Sequence, residues 1–588
     1  MISALFRGRP AMRCAMSAGS SPDYLLVNNA KHPPMSENST WTALRNPVFR
    51  NMWLASLISG TCVAAQDTAA TWTMNRVSDS PLFLSLMSTV ASLPFFFFTL
   101  PAGALADMVD RKRMMLVMTV WLAIAAGGLA LFGFLNLIYP WVLLAAVFLI
   151  GTGFAFYSPA WTSIQPEIVT NEELPSASTL GGLQLNISGI IGPALGGLLL
   201  RVVNPNAVFA MNGICFFVLF FAIQRLKHPK PASNLPLESF LESFVTAIRY
   251  VRYTPGIQIV LARNLLFAFF ISIIPSLIPV VGLKELHLDP SNLGLVFTSM
   301  GVGSVLGAVF ILPWARARFH SNTVTVLANI LVAVVFFLMG TVRTPSLFLV
   351  AAGIAGTAWT MAASELWVAG QRAMPSWARG RMNATIIMAA QGAMALGGIV
   401  WGTSVSIWGV QPTLIVACVL QLATLVIQLR LSIDFTSSLN FEPGPVSGAS
   451  HKLIHIPAPH DGPVAIMIDV EVDRIRGQGM LDVLREVRLI HLRNGAFSWR
   501  LHEDLGRPNS FRMEMLYPSW TEYLLMQERM TKSEREIIDK ARAYHVGASP
   551  PDFRYFLCVN RELQTRRNVV ARPSSMPEAP LSIDQAPA

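Results

Sequence analysis

Long, nearly uncharged apolar segments dominate the first 430 residues of this 588-residue chain. Only 39 of those 430 residues are Asp, Glu, Lys or Arg, whereas 39 of the last 158 are. A soluble domain carries about 25% charged residues, so this composition excludes a disordered chain, a soluble enzyme and a nucleic-acid binder over the first part. A helix of about 20 apolar residues spans a bilayer. Such runs predict twelve membrane helices, at about 48–72, 82–106, 114–134, 138–160, 178–200, 206–224, 258–281, 292–314, 322–341, 346–368, 383–408 and 411–429.

Basic residues in the short loops fall mainly on one side of these predicted helices. That side receives Arg111, Lys112, Arg113, Arg225, Lys227, Lys230, Arg249, Arg252, Arg316, Arg318, Arg372, Arg379 and Arg381. The other side receives only Arg76, Arg201, Lys284 and Arg343. Because loops rich in Lys and Arg stay in the cytoplasm, the first side is predicted to be cytoplasmic. An even number of spans then places both termini in the cytoplasm, and the net charge of +10 indicates membrane topology, with no nucleic-acid partner.

The predicted helices form two groups of six that repeat each other. At an offset of 206 residues, Gly192 pairs with Gly398 and Gly196 with Gly402. Two repeated bundles are typical of transporters in which one bundle rocks against the other around a central cavity. The expected fold is an all-α membrane protein with twelve transmembrane helices in two six-helix bundles, followed by a small α+β ferredoxin-like domain.

The expected domain boundaries follow from the same composition. Translation is expected to begin at Met35, within a loosely composed N-terminal stretch. The predicted parts are a disordered extension (1–40), an N-terminal bundle (41–224), a cytoplasmic linker (225–257), a C-terminal bundle (258–430), a second linker (431–462), a cytoplasmic α+β domain (463–560) and a disordered tail (561–588).

The loop between the second and third predicted helices combines a carboxylate with three basic residues. Residues 103–113 read GALADMVDRKR. A carboxylate at the membrane edge is costly without a partner, and Asp107 can accept hydrogen bonds from a helix N-terminus or pair with an arginine. We therefore expect a gating latch that forms in one conformational state and breaks in the other. An ordinary positive-inside loop would explain the basic residues alone. The predicted latch residues are Gly103, Asp107, Arg111, Lys112 and Arg113.

The fifth predicted helix carries a glycine motif, GPALGG at 192–197. Glycines let helices approach closely, and a proline kinks the helix that contains it. The predicted helix-packing motif is Gly192, Pro193, Gly196 and Gly197.

Two carboxylates fall inside predicted helices. Asp67 lies in the first helix, about 30 Å along from Pro47 at 1.5 Å per residue, and Glu365 lies near the cytoplasmic end of the tenth. An intramembrane carboxylate is a functional candidate by default, because burial makes its proton binding switchable. Both are candidates for proton coupling. The alternatives are a water-exposed helix end for Asp67 and an interface residue for Glu365.

These motifs carry a family resemblance. The loop at 103–113 resembles the signature of the major facilitator superfamily, with Met108 replacing the usual Arg and Asp110 the usual Gly, and the motif at 192–197 resembles one associated with its antiporters. Together with residues 44–50 and 159–175, they are similar to the transmembrane secretion effector branch, which includes enterobactin exporters and macrolide efflux proteins. The resemblance implies proton-driven export of a small organic molecule across a lipid bilayer, and no enzymatic activity. Uptake by the same fold remains open.

Cofactor chemistry has no signature in the chain. The five cysteines lack metal-ligand spacing, so free thiols, no metal and no cofactor are expected.

The last part of the chain alternates strand and helix patterns. Strands are predicted at 464–472, 496–501, 511–517 and 553–559, and helices at 479–492 and 519–544. This order resembles the dimeric α+β domain of antibiotic-biosynthesis monooxygenase-like proteins, which implies dimerisation or ligand sensing. His491, Trp499 and His502 are expected in surface or core roles. The alternative function is a membrane-bound sensor or oxygenase whose active part is this domain.

Overall fold

The computed structural model describes residues 41–170, 172–226, 248–375, 378–434, 442, 444, 457–472, 477–507, 509–547 and 549–558, without the side chains of Asp107, Arg381 and Gln478. The expected extension at 1–40, most of the linker at 225–257 and the expected tail at 561–588 lie outside these residues.

Between residues 47 and 430, the described residues form twelve long helical segments in succession. Those of the first half are α1 (Pro47–Val77), α2 (Pro81–Met108), α3 (Arg111–Phe134), α4 (Pro140–Ile168), α5 (Leu174–Val202) and α6 (Pro205–Gln224). Those of the second half are α7 (Pro255–Glu285), α8 (Pro290–Arg318), α9 (Ser321–Thr341), α10 (Pro345–Arg372), α11 (Arg379–Trp408) and α12 (Val410–Arg430).

Helix starts follow simple rules of capping. Proline occupies the first turn of most of these helices, where its missing N–H needs no partner. The Asn46 side chain caps α1 by accepting a hydrogen bond from Val48 N at 3.0 Å. Two helices contain π-helical turns, Val281–Glu285 in α7 and Gly307–Ile311 in α8.

Eleven helices in the described part, α2 to α12, are long and apolar enough to cross a membrane. Helix α1 is 31 residues long but falls outside this group, because polar residues such as Gln66, Asp67 and Thr68 lower its hydropathy. The structure is therefore a mostly helical, multi-pass membrane protein.

Over the last three helices of each half, the repeat runs at an offset of 205 residues, one less than the sequence predicted. Helices α4 and α10 begin at Pro140 and Pro345, and the starts of α5 and α11 and of α6 and α12 differ by the same amount. The packing agrees, because Gly192 and Gly397 face α1 and α7, whereas Gly197 and Gly402 face α8 and α2 of the opposite half. One residue turns a helix by about 100°, so the one-residue error had paired glycines that lie on different faces.

The C-terminal part contains a four-stranded antiparallel sheet with helices on one face. Its strands are β1 (Val464–Glu471), β2 (Ser498–Glu503), β3 (Ser510–Tyr517) and β4 (Asp552–Leu557), in the order β2-β3-β1-β4. Val464 pairs with Tyr517 of β3 and with Leu557 of β4. The helices are α13 (Gly477–Arg493), α14 (Trp520–Arg529) and α15 (Lys532–Arg542). Arg249, just before α7, lies 3.9 Å from Glu522 of α14 and joins this part to the membrane helices.

Candidate functional site

A cavity of about 380 Å³ lies between the two halves. Helices α1 and α5 of the first half and α8 and α10 of the second half enclose it. Its polar lining residues are Asp67, Thr68 and Thr71 from α1, Asn186 from α5 and Ser304 from α8, with Trp359 of α10. A concave site with a few polar groups between two bundles is suited to bind a small molecule.

Asp67 is the carboxylate that faces this cavity. Its side chain is exposed there, whereas its chain neighbours Gln66 and Thr68 are buried. Among the described residues, no hydrogen bond or ion pair engages the Asp67 carboxylate. Gln66 points instead into the first half, where its Oε1 accepts a hydrogen bond from Asn212 Nδ2 at 2.6 Å. The predicted candidate Asp67 thus lies where a proton or a cationic group could reach it.

Close glycine contacts hold the halves together on one side of the cavity. A Cβ at Gly197 of α5 would lie 2.6 Å from the Pro290 carbonyl oxygen of α8, and one at Gly294 of α8 would lie 2.5 Å from the Pro193 carbonyl oxygen. Gly192 and Gly196 pack on α1 instead, against Thr61 and Ala65. The predicted packing motif at 192–197 therefore lies where α1, α5 and α8 meet.

Toward their other ends, glycines of the same helix pairs face open space. At Gly181 and Gly182 of α5, an added Cβ would meet nothing within 4 Å, and the same holds at Gly103 of α2 and Gly380 of α11. By contrast, Gly392 of α11 packs directly on α2. These glycines give close contacts between the halves at one end of the cavity and none at the end that carries the 103–113 loop, so we call the first the closed end and the second the open end.

Ion pairs between the halves lie at the closed end. Arg201, at the end of α5, pairs with Asp289, which caps α8. Lys284, at the end of α7, lies 3.5 Å from Asp79, in the loop between α1 and α2. Together with the glycine contacts, these ion pairs form the seal that holds the closed end shut.

The predicted gating loop binds helices of its own half. Asp110 caps α3 by accepting a hydrogen bond from Arg113 N at 3.1 Å. Arg111 pairs with Glu167 of α4, and Lys112 Nζ donates to the carbonyl oxygen of Leu226 after α6, at 2.6 Å. The backbone of Asp107 lies in α2, but its side chain is outside the described residues, so the latch itself is not described. The sequence prediction missed Glu167, which lies 56 residues from Arg111 in the chain.

Glu365 is buried, with 1% of its surface exposed. Its Oε1 lies 2.5 Å from Arg316 Nε, so the carboxylate has a fixed partner between α10 and α8. This geometry differs from that of Asp67, although the sequence predicted the same role for both.

Two further groups escaped prediction. Arg263 in α7 is 3% exposed and donates to the Leu431 carbonyl oxygen at 3.2 Å, which ties α7 to the end of α12. The sequence did carry a signal for this residue, because an arginine five residues inside a predicted membrane helix is unusual.

Cys62 of α1 and Cys215 of α6 have Sγ atoms 2.7 Å apart, and nothing in their sequence spacing indicated this contact.

Two repeated groups of membrane-length helices around a polar cavity are the architecture of secondary transporters. The sequence model of the transmembrane secretion effector family matches residues 38–563. The chain belongs to this family, as the sequence resemblance predicted, and the match extends through the C-terminal sheet and helices.

Individual relatives agree with this family. Macrolide efflux protein A of Streptococcus pyogenes is 23% identical over 265 residues, which is 45% of this chain and 65% of that protein. Enterobactin exporter EntS of Citrobacter koseri is 26% identical over 45% of this chain and 63% of that protein. The alignments thus cover less than two thirds of these two relatives. Multidrug efflux pump Tap of Mycolicibacterium fortuitum is 24% identical over 61% of this chain and 89% of that protein.

Solved transporter structures share the fold. The nucleoside transporter NupG superposes with a TM-score of 0.55 at 14% identity, over 65% of this chain and 99% of that chain. A bacterial homologue of the human lysosomal transporter Spinster gives a TM-score of 0.53 at 15% identity, over 67% and 97%. At these identities the likeness establishes the major facilitator fold alone.

Proposed function

We propose that this protein exports a small organic molecule from the bacterial cytoplasm by alternating access, coupled to proton entry, without a catalytic step. The observation that carries the proposal is the Asp67 carboxylate in the cavity between the halves, which has no partner among the described residues. The functions for which the relatives are named, macrolide efflux, enterobactin export and multidrug efflux, support export over uptake.

Coupling needs a group whose surroundings change when the halves rock. Proton and substrate must each favour one of two arrangements by differential binding. Asp67 lies on α1 next to the α5–α8 contact, so closure of the open end would change its access to water. Glu365 is a weaker candidate for coupling because Arg316 already neutralises it in this arrangement. We assign Glu365 to stabilising the second half.

The proposed topology counts α1 as a twelfth span, which gives two six-helix bundles in the inner membrane with both termini in the cytoplasm. The positive-inside rule then makes the open end cytoplasmic. In this arrangement, Arg111 and Lys112 hold the first half together. We propose that the loop at 103–113 gates the cavity by contacting the second half when the cytoplasmic end closes.

The proposed cytoplasmic domain, 463–560, is a ferredoxin-like α+β unit. Support comes from its antiparallel sheet and three helices. Dimerisation through the open face of the sheet would rely on polar contacts, because that face carries the ion pair between Asp469 and Arg512, 2.6 Å apart.

The test is Asp67→Asn in proteoliposomes loaded with a radiolabelled macrolide. A carboxamide cannot take up a proton at neutral pH, so we expect gradient-driven transport to fall at least about tenfold while exchange without a gradient continues. Glu172→Gln, an exposed carboxylate in the α4–α5 loop, is the matched control.

Equal gradient-driven rates in the Asp67→Asn variant and the wild type would contradict the coupling role. Absence of any gradient-driven movement in the wild type would contradict proton-coupled export of this substrate class.

A further inference from the structure

The C-terminal part contacts the chain segment that leads into α7, at the open end of the second half. Arg249 of this segment lies 3.9 Å from the carboxylate of Glu522 in α14, and Arg529 of α14 lies 3.5 Å from the same carboxylate. The three side chains are between 11% and 28% exposed, so water and salt screen their attraction only in part. The carboxylate between two guanidinium groups therefore holds the segment against α14.

Tyr250, the next residue, anchors the same segment in the second half. It is 3% exposed and packs in a hydrophobic cluster with Val260 of α7 and Met382 of α11. Burial raises the pKa of its phenol, whereas Arg493 of α13 lowers this pKa and Glu534 of α15 raises it. Charges act in this way on a buried group only from nearby. The Tyr250 ring thus lies between the second half and the C-terminal part.

The chain that leaves α12 contacts both parts as well. Ile433 is 1% exposed and belongs to the same hydrophobic cluster of the second half. Further along, Glu442 Oε2 accepts a hydrogen bond from Lys532 Nζ at 2.6 Å, and the Gly444 amide donates to the Met530 carbonyl oxygen at 3.0 Å. The C-terminal part is therefore fastened to the chain both before the first and after the last helix of the second half.

Two attachments restrict the C-terminal part far more than a single chain connection would. A part held by one long linker samples distances that grow with the square root of the linker length. Here the contacts precede α7 and follow α12, and the packed core between these helices resists deformation. The C-terminal part is therefore expected to keep one orientation relative to the second half.

We propose that the C-terminal part is a rigid arm of the second half and travels with it when the two halves rock, with Tyr250 and the pair of Arg249 and Glu522 as its docking contacts. The rocking rests on the proposed function, whereas the docking does not. Whatever holds the C-terminal sheet in place would then hold the second half as well and leave the first half to move.

The experiment measures distances between pairs of spin labels in the full-length protein in nanodiscs. Labels attached through p-acetylphenylalanine leave the native cysteines untouched. They replace exposed residues in the C-terminal part, the second half and the first half, namely Glu486 of α13, Arg318 of α8 and Ser178 of α5. We expect a single narrow distribution for the 486–318 distance, because both positions belong to one rigid body.

The shared motion is tested in the Arg201→Glu variant, which replaces an attraction between the halves at the closed end with a repulsion. We expect the 178–318 and 178–486 distances to change together, because both report the first half against the same moving body. The 486–318 distance should stay at its wild-type value.

Two substitutions test the docking contacts. Arg249→Glu places two carboxylates at the contact with α14, and Tyr250→Ala removes the buried ring, so each should broaden the 486–318 distribution at least about twofold as the part swings on its chain connection. Arg252→Glu is the matched control. It makes the same charge reversal at an exposed residue that stacks on the Tyr253 ring, and it should leave the distribution unchanged.

A wild-type 486–318 distribution as broad as that of Arg249→Glu would overturn the docking, as would unchanged distributions in both Arg249→Glu and Tyr250→Ala. A 486–318 distance that shifts in Arg201→Glu along with the 178–318 distance would overturn the shared motion. A constant 178–318 distance would contradict the rocking and the proposed function, while a narrow 486–318 distribution would still support the docking.

Discussion

At the scale of single residues, glycines decide how the two halves meet, because they carry no side chain. Gly197 and Gly294 face each other across the α5–α8 contact, where their Cα atoms and the neighbouring carbonyl groups leave no room for a Cβ. The contact is therefore a backbone approach that only glycine permits. Its position at the closed end makes these residues part of the seal.

The first prediction concerns Gly197→Ala. The new Cβ would lie 2.6 Å from the Pro290 carbonyl oxygen, so α5 and α8 must move apart and the closed end must open. We expect transport to fall at least about tenfold, since a conformational balance shifted by about 1.4 kcal/mol changes populations tenfold. A cysteine at Ser291 should also react faster with an impermeant maleimide. Gly181→Ala, where nothing lies within 4 Å, is the control, and normal transport by Gly197→Ala would refute the role.

At the scale of helices, each half contains an arginine–glutamate pair near the end with the basic loops. Arg111 joins α3 to Glu167 of α4, and Arg316 joins α8 to Glu365 of α10. The second pair is asymmetric, because Glu365 is 1% exposed whereas 44% of the Arg316 side chain is exposed. Substitution of Arg316 and substitution of Glu365 should therefore lower the stability of the protein by different amounts.

The second prediction follows from this asymmetry. Arg316→Ala leaves a buried carboxylate without a counter-charge, which should destabilise the protein by about 1–3 kcal/mol. Glu365→Gln leaves a neutral buried group and an arginine that can reach water, so its cost should be smaller. The apparent Tm of the purified variants measures both effects. Arg372→Ala, at an exposed arginine at the end of α10, is the control. An equal or larger loss of stability for Glu365→Gln would contradict this asymmetry.

At the scale of the whole molecule, the two ends of the cavity are held differently. The closed end combines glycine contacts with ion pairs between the halves, such as that of Arg201 and Asp289. At the open end, the described contacts of Arg111 and Lys112 stay within the first half. The balance between the two states thus depends on contacts that form at one end at a time.

The third prediction tests this balance by charge reversal. Arg201→Glu replaces an attraction between the halves with a repulsion at an exposed site, worth about 1 kcal/mol or a fivefold change in populations. We expect the closed end to open more often, seen as a longer spin-label distance across it in the resting state. Adding Asp289→Arg should restore the wild-type distances. A double variant that stays open would show that this pair does not contribute to the seal.

The sequence could predict properties that depend on local composition. Apolar runs of about 18 residues or more indicate membrane helices because the bilayer admits little else. A carboxylate in such a run, Asp67, stands out against that background. The glycine motif at 192–197 and the basic loop at 103–113 were visible for the same reason. The family follows from these motifs together.

Tertiary structure decided which residues meet. It moved the repeat offset from 206 to 205 over the last three helices of each half. It gave Arg111 a partner in Glu167 and paired Glu365 with Arg316, and among the described residues it left Asp67 without a partner. It also gave His491 a cavity in place of a plain core position. Each outcome depends on how elements distant in the chain are rotated and placed against one another. A helix turns about 100° per residue, so a pattern that identifies a helix still leaves its contacts to be decided by packing in three dimensions.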